Sequence, residues 1–406
     1  MRLILGEESQ RCQINKDIVE QHFRRVSSRK PCNLDLYNSD EEQPIDRHSI
    51  STNRITRQEV MFRLKRCENT SPGDDRLTYN HWRSVDPACT VIAAIFNICP
   101  KYERIPEDWK TSTPVLIYKK GDPEEVTNWR PIAILRPIYK LYTGVLAKST
   151  TQWLINKVLS TAQKGFLPYD GVFEHNYTIQ RKLDKARTEK GEFLASWIDF
   201  SNAFGSIPHD GIFASLRQSG ADEKFINVIK DIYTHSSTKV ITEQGPTDCI
   251  DVQAVIKQGC AISGLLFNIA IDPIFKTLQG EEVDYNVLAY ADDLVLMAEV
   301  PHQLQDSIEE VERLAGKISI KINPAKCFTM HLSGKTPIGT RNTTFNLNGE
   351  AFKVLQDGEF DLFLGKPVGF HTVSSQKELA RLMGIADRLL EATLAPWQRL
   401  DAMKTF

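Results

Sequence analysis

Two adjacent carboxylates, Asp292 and Asp293, stand between short apolar runs at 287–289 and 294–298. Runs of that length around a polar pair predict a buried β-hairpin with the acids at its bend. Side-by-side anions repel, and burying one without a counter-charge is costly, so a cation belongs there. Hard oxygen donors suit Mg²⁺, which takes one or two carboxylates plus substrate phosphates more readily than a full protein cage. By itself the dipeptide more commonly marks a solvated turn. A third acid, Asp199, sits near the end of the apolar run 193–200, as a metal ligand or as a buried hydrogen-bonded Asp. Upstream, two β-prone runs, 114–118 and 131–135, predict a hairpin with Lys119, Lys120 and Arg130 at its neck. Three converging cations could grip a polyphosphate, or they could be ordinary solvated side chains.

The elements that must position these groups form a mixed pattern. Amphipathic spacing predicts helices over 56–67, with Val60, Leu64 and Cys67 inward, and over 87–99, with Val91, Ile92, Ile95, Phe96 and Cys99 inward. Further helices are expected at 138–156, 210–219, 222–235, 265–278 and 302–316, and strands at 238–243, 250–256, 318–322 and 360–365. From 375 onward Leu379, Leu382, Met383, Leu389, Leu390 and Leu394 keep helical spacing. Pro396 opens another helix that reaches Phe406 uncapped, which predicts a longer chain. Residues 1–50 carry little pattern. Arg24, Arg25, Arg29 and Lys30 form a loose basic cluster before an acidic linker at Asp40 to Pro44, read as a solvated flexible segment. The order of elements predicts an α+β fold, a small antiparallel sheet backed by helices on one face.

At 406 residues the chain exceeds one average domain, and its 41% hydrophobic and 25% charged content is ordinary for a globular protein. A net charge of −2 gives no global basic signature, so any nucleic-acid contact must be local. Eight cysteines at 12, 32, 67, 89, 99, 249, 260 and 327 include no C-x-x-C pair and read as reduced thiols. No apolar stretch reaches membrane-spanning length and no secretory signal opens the chain, so an intracellular location is expected.

Taken in order, these motifs resemble the fingers and palm of a reverse transcriptase, and more narrowly those of non-LTR retrotransposons, which prime synthesis at a nicked chromosomal target. The resemblance covers roughly residues 55–406. Ser71-Pro72-Gly73-Asp74-Asp75 is similar to the N-terminal fingers motif. Lys119 and Lys120 with Asn128-Trp129-Arg130-Pro131-Ile132 resemble the fingers hairpin that holds the nucleotide phosphates, and Gln163-Lys164-Gly165-Phe166 the next fingers motif. The run Asp199 to Phe204 looks like the first palm motif, with Asp199 as metal ligand and Phe204 under the sugar. Lys257-Gln258-Gly259 resembles the loop touching template and nucleotide, and Tyr290-Ala291-Asp292-Asp293 the second metal motif. Lys326 matches the palm lysine that assists the leaving pyrophosphate, and Phe363-Leu364-Gly365 resembles the primer grip.

The resemblance implies an RNA-directed DNA polymerase with a right-hand fold: an N-terminal extension at 1–52, fingers at 53–192, an antiparallel palm at 193–365 and the start of a helical thumb at 366–406. It implies Asp199, Asp292 and Asp293 as catalytic ligands of two Mg²⁺ ions, with Mn²⁺ as substitute. It implies Lys119, Lys120, Arg130, Phe204, Gln258, Gly259 and Lys326 at the nucleotide. Template RNA, a DNA primer and target, and dNTPs are the expected partners, in the nucleus and away from membranes; the oligomeric state is left open. Several positions depart from the family's pattern: Asp74, Arg76, Gly205, Cys260, Ala261 and Gly264. Alternatives are a group II intron-type reverse transcriptase and maturase, or a catalytically degenerate RNA-binding scaffold of the same fold.

Overall fold

The strand Glu192–Ile198 (EFLASWI) is buried at every position after its first, so it cannot be an edge strand with one wet face. In the computed structural model, which describes residues 12–37, 50, 54–254, 256–279, 286–370, 376–392, 395 and 398, it is the centre of an antiparallel sheet. The order is Gly339–Thr340, Phe328–Ser333, Glu192–Ile198, Asp293–Ala298, Val287–Tyr290, with Lys353–Val354 added in parallel beside Phe328–Ser333.

The period-two alternation of a strand sends neighbouring side chains to opposite faces. Here both faces are covered. Leu194, Ile198, Leu294 and Leu296 join the main core, which includes the buried sides of helices Ser263–Gln279 and Pro301–Lys317. Phe193, Ala195, Trp197, Val295 and Met297 join a second core with Ile179, Leu183 and Ala186 of helix Gly171–Glu189. The expectation of helices on one face is therefore corrected to a sheet packed on both. Helices Gly171–Glu189 and Tyr79–Val85 had no counterpart in the sequence reading.

A second sheet is built on Thr111–Tyr118, paired antiparallel with Trp129–Ile134 so that Tyr118 faces Trp129. The two-residue strands Ser237–Thr238 and Ile241–Thr242 run parallel beside it, flanked by Ile250–Asp251 and Gly245–Pro246. The two longer strands expected at 238–243 and 250–256 are thus short fragments. The helices expected between 56 and 391 are present, with shifted ends, while the one expected from Pro396 lies outside the described residues. Helix Arg57–Arg66 is closed by a capping box from Thr56 and Glu59. In helix Thr90–Tyr102, Ile92, Phe96 and Cys99 point inward as expected. Val91 is exposed and Ile95 half-buried, because the inward stripe also takes Ala93.

The N-terminal region differs most from expectation. Lys16–Ser27 is a helix, N-capped by the Asn15 side chain, which accepts from the Asp17 amide. Its Val19 is fully buried with Cys12 and Ile14 against Val126, Trp129, Val240 and Ile250. The amides of Gln253 and Ala254 donate to the Ser27 carbonyl at 2.9 and 3.1 Å, and the Asp248 amide donates to Glu20 Oε2 at 3.0 Å. Arg24 of the basic cluster pairs with Glu20 at 2.7 Å. The acidic linker at Asp40 to Pro44 lies outside the described residues.

Helix Gln376–Glu391 buries Ile385 and Leu389 and leaves Leu379, Leu382, Met383 and Leu390 exposed. The expected positions Leu394 and Pro396 lie outside the described residues. All eight cysteines are free thiols. Among the described residues, no helix is long and apolar enough to cross a membrane.

The packing of the N-terminal helix carries a direct prediction. Val19→Asp buries a carboxylate with no counter-charge and is expected to cost at least about 2 kcal/mol. A urea melt reads this, and an unchanged midpoint would return the segment to the solvent.

Candidate active site

Backbone pairing decides where the acids stand. Leu294 lies opposite Ile198 and Phe328 opposite Trp197. Continuing both ladders past their last pair sets Asp293 on one side of Asp199 and Lys326 on the other. Lys326 Nζ is 3.6 Å from Asp199 Oδ2, a loose ion pair. The Asp199 backbone is pinned as well. Its amide donates to Cys327 Sγ at 3.4 Å, and its carbonyl accepts from the Asn323 amide at 2.8 Å. Burial pushes the Cys327 thiol up to about 11, so it stays protonated and donates to the Asn323 carbonyl at 3.2 Å. Asp199 Oδ2 itself is buried and accepts no hydrogen bond from any described residue.

The other two acids sit at the bend between Val287–Tyr290 and Asp293–Ala298, as the apolar runs predicted. Ala291 turns the chain in the left-handed region, φ +57°. Burial raises the Asp292 carboxyl above the usual range, and nearby Asp199 raises it further while Arg130 opposes. Asp293 keeps an exposed edge. Thinned hydration first, and then Asp292 and Asp199, push its carboxyl up to about 6. Among the described residues, no three His, Cys, Asp or Glu donors close into a ready-made metal cage. Asp199, Asp292 and Asp293 are the oxygen donors that could hold a cation completed by substrate.

Asp199 and Asp292 border a cleft of about 1050 Å³ that also gathers Lys326, Lys119, Arg130, Phe204, Gln258 and Gly259; Asp293, next in the turn, is not among its lining residues. Lys119 is depressed below its ordinary value by partial burial, then by repulsion from Arg130 and Lys326. Cations and anions thus line the same space. Phe204 lies in its wall, stacked on Phe267 with centroids 4.1 Å apart and met edge-on by Phe166 at 5.7 Å. Gln258 and Gly259 follow Lys257, a buried ammonium that donates to the Lys110 carbonyl at 2.6 Å and is pushed down to about 8 by burial. Gly259 has φ +79°, and a side chain there would crowd the Ala133 carbonyl of the fingers hairpin.

Not every expected residue joins the cleft. Lys120 is exposed and does not line it. Phe363, Leu364 and Gly365 lie on a hairpin between Asp361–Phe363 and Lys366–Val368, away from the cleft lining. Phe363 is buried in the core on the far face of the sheet, and Leu364 and Gly365 both take positive φ, as a two-residue I′ turn requires. The departures from the family pattern find local partners. Asp74 holds Arg136 with two bonds of 2.7 and 3.0 Å, and Arg76 adopts φ +56°. Gly264 leaves room for the Phe166 ring, which any Cβ there would overlap.

Some lining residues were not foreseen. His22, Phe23 and Val26 enter the cleft from the N-terminal helix. The available signal was Asn15 as a cap, followed by Ile18, Val19, Phe23 and Val26 at helical spacing. Gln163 does not line the cleft; it stands in the motif Gln163 to Phe166, but its side-chain bonds to the backbone of Ala291 had no periodic signal.

Known proteins resemble this chain in sequence. A family model described as reverse transcriptase (RNA-dependent DNA polymerase) matches residues 117–378. The chain is 27% identical over 353 residues to the Retrovirus-related Pol polyprotein from type-1 retrotransposable element R2 of Nasonia vitripennis, covering 84% of this chain and 34% of that protein. It is 26% identical over 276 residues to that of type-2 retrotransposable element R2DM of Drosophila melanogaster, covering 66% and 25%. It is 22% identical over 301 residues to the RNA-directed DNA polymerase from mobile element jockey of the same fly, covering 71% and 33%. The chain thus spans about a third or less of the length of these curated relatives. With acids, cations and Phe204 bordering one cleft inside the matched region, the chain belongs to the reverse transcriptase (RNA-dependent DNA polymerase) family.

Proposed function

We propose that this chain is the polymerase portion of a retrotransposon protein, with fingers at 53–192, palm at 193–365 and the thumb beginning at 366. It adds dNTPs to a DNA primer 3′-hydroxyl along an RNA template. The observation that carries this reading is the cleft whose lining holds Asp199 and Asp292 together with Lys119, Arg130 and Lys326. An in-line displacement at an α-phosphate needs negative charge managed at both ends of the bond, and positioning with electrostatics supplies most of the rate.

The acids fit a divalent cation. Asp199 Oδ2 is buried without a hydrogen-bond donor, and the Asp292 and Asp293 carboxyls stay raised even though Arg130 acts against the rise at Asp292. Mg²⁺ there, as two ions, would supply the Lewis acidity that activates the hydroxyl and neutralises the leaving pyrophosphate. The chain's own residues do the rest. Arg130 offers a planar fork to the triphosphate, Lys119 a point charge. Lys326, beside Asp199, is placed to meet charge developing on the leaving group. Phe204 closes the space where a 2′-hydroxyl would stand. The similarity to R2-type proteins favours this reading over a maturase.

Three outcomes test it. In primer extension on an RNA template, Asp292→Ala is expected to lower synthesis by roughly a thousandfold, the scale of losing a preorganised electrostatic group. Duplex binding should persist, and an active Asp292→Ala would end the polymerase reading. Phe204→Ala should relax the preference for deoxynucleotides by about 10–100-fold in kcat/KM ratio; unchanged discrimination would remove Phe204 from the sugar site.

The third concerns pH. Because the Asp293 carboxyl is raised in the folded state to about 6, the metal-free fold gains stability as pH falls through that value and loses it as pH rises. A divalent cation needs the charged form. Millimolar Mg²⁺ should therefore raise the melting temperature at about pH 7.5 and have little effect at about pH 5. Equal shifts at both values would argue against the acids as the binding site.

A further inference from the structure

The turn carrying Asp292 and Asp293 is not held by its own strands alone. Gln163, almost wholly buried, closes on it from the fingers side. Its Oε1 accepts from the Ala291 amide at 2.8 Å and from the Gly165 amide at 2.7 Å, while its Nε2 donates to the Ala291 carbonyl at 3.2 Å. One side chain thus satisfies both backbone groups of the residue that precedes the acids. Ala291 is also the residue in the left-handed region, a conformation disfavoured for any side chain with a Cβ. The neighbouring backbone continues the attachment. The Lys164 amide donates to the Ala289 carbonyl at 2.9 Å, and the Ala289 amide to the Ala162 carbonyl at 3.0 Å. Gly165 lies so close that an added Cβ would overlap Ala291 N, and the buried Asn268 Nδ2 donates to the Gly165 carbonyl at 2.7 Å.

We infer that Gln163 is a positioning residue for the acid turn, a side-chain clamp that holds Ala291 in its left-handed conformation and so fixes where Asp292 and Asp293 present their carboxylates. The inference rests on the polymerase reading above and deepens it. Three facts favour this role over simple core filling. Gln163 makes its bonds to a backbone that no strand pairing serves at that point. The clamped residue is the strained one. The two residues that follow are the mutually repelling acids, which would spread apart if the turn were free. A leucine or methionine of similar volume would fill the space and leave an amide and a carbonyl of Ala291 unpaired.

The test uses Mn²⁺ alone, titrated into the full chain and followed by electron paramagnetic resonance, with primer extension as a separate readout. Gln163→Met is expected to weaken Mn²⁺ binding by about 10-fold or more, as losing a partner that orients a ligand does. Gln163→Glu keeps the acceptor for both amides and should recover most of that loss. Ile179→Ala, a core change on the other face of the sheet, controls for lost stability and should leave Mn²⁺ affinity unchanged. Wild-type affinity in Gln163→Met overturns the clamp, as does wild-type binding no tighter than that of Asp292→Ala. If Gln163→Met does not fold, Asn268→Leu, which releases Gly165, should weaken Mn²⁺ by about threefold, and no change there overturns the clamp equally. A wild-type chain whose Mn²⁺ affinity depends on Gln163 yet which extends no primer leaves the clamp standing and removes the polymerase reading instead.

Discussion

Repulsion among three carboxylates is the constraint around which this protein is built. Asp199 raises the proton affinity of Asp292, both raise that of Asp293, and the strand of Asp293 pairs with the strand that leads into Asp199, where like charges close together destabilise a sheet. Left to themselves the strands would slip or splay. A slip of one residue would move every side chain to the other face. Here both faces of Glu192–Ile198 are packed in separate cores, so either direction of slip would strand Leu194 and Ile198 or Phe193 and Trp197 among the wrong neighbours. The apolar layers thus enforce a register that the charges oppose, and the compensation comes from Lys326 on one side and from a bound cation in the reading proposed here.

The cations that answer these acids belong to a different sheet, so the site depends on the joint between the two. That joint is made of buried polar contacts, which have directions where apolar packing has none. Lys257 reaches the Lys110 carbonyl at the base of the fingers strand, the Ile256 amide donates to the Phe204 carbonyl at 3.0 Å, and Ser27 accepts from Gln253 and Ala254. Each is costly if left unpaired, and together they set the span between Arg130 and Asp292. The N-terminal helix is part of this joint, since Val19 packs on Trp129 in the same hairpin that carries Arg130.

The hairpin at 287–298 was legible because its runs are short, apolar and interrupted by the two acids. Asp199 was legible because an acid at the end of a buried run stands out. Their convergence was not, since register depends on pairs distant in sequence. The two-sided burial of the sheet hid itself: when both faces are apolar, alternation vanishes, and nothing in EFLASWI says how many layers cover it. Helix Lys16–Ser27 was obscured by the arginines at its C-terminal end, which suit a helix terminus as well as they suit a disordered arm. Gln163 lay inside a quoted motif, yet its contacts join residues 128 positions apart, which no local pattern encodes.

The stretch Gln163–Phe166 shows how closely two tasks can share one segment. Its first residue grips the turn that carries two acids, and its third must be glycine to let that turn approach. Its fourth, Phe166, takes φ +58° and sets its ring against Phe204, in the space left open by Gly264. A steric test of a sugar works only if the testing ring cannot retreat. Phe204 is held by Phe267 on its face and Phe166 at its edge, so yielding would require Phe166 to move. Because Phe166 and Gln163 are joined by three peptide bonds, any movement that relaxed the sugar space would also pull on the acid turn. Discrimination against the wrong nucleotide and alignment of the reacting groups are then two readouts of one rigid connection. On the function proposed above, a substrate that pushed Phe204 aside would misplace the carboxylates on which its own incorporation depends.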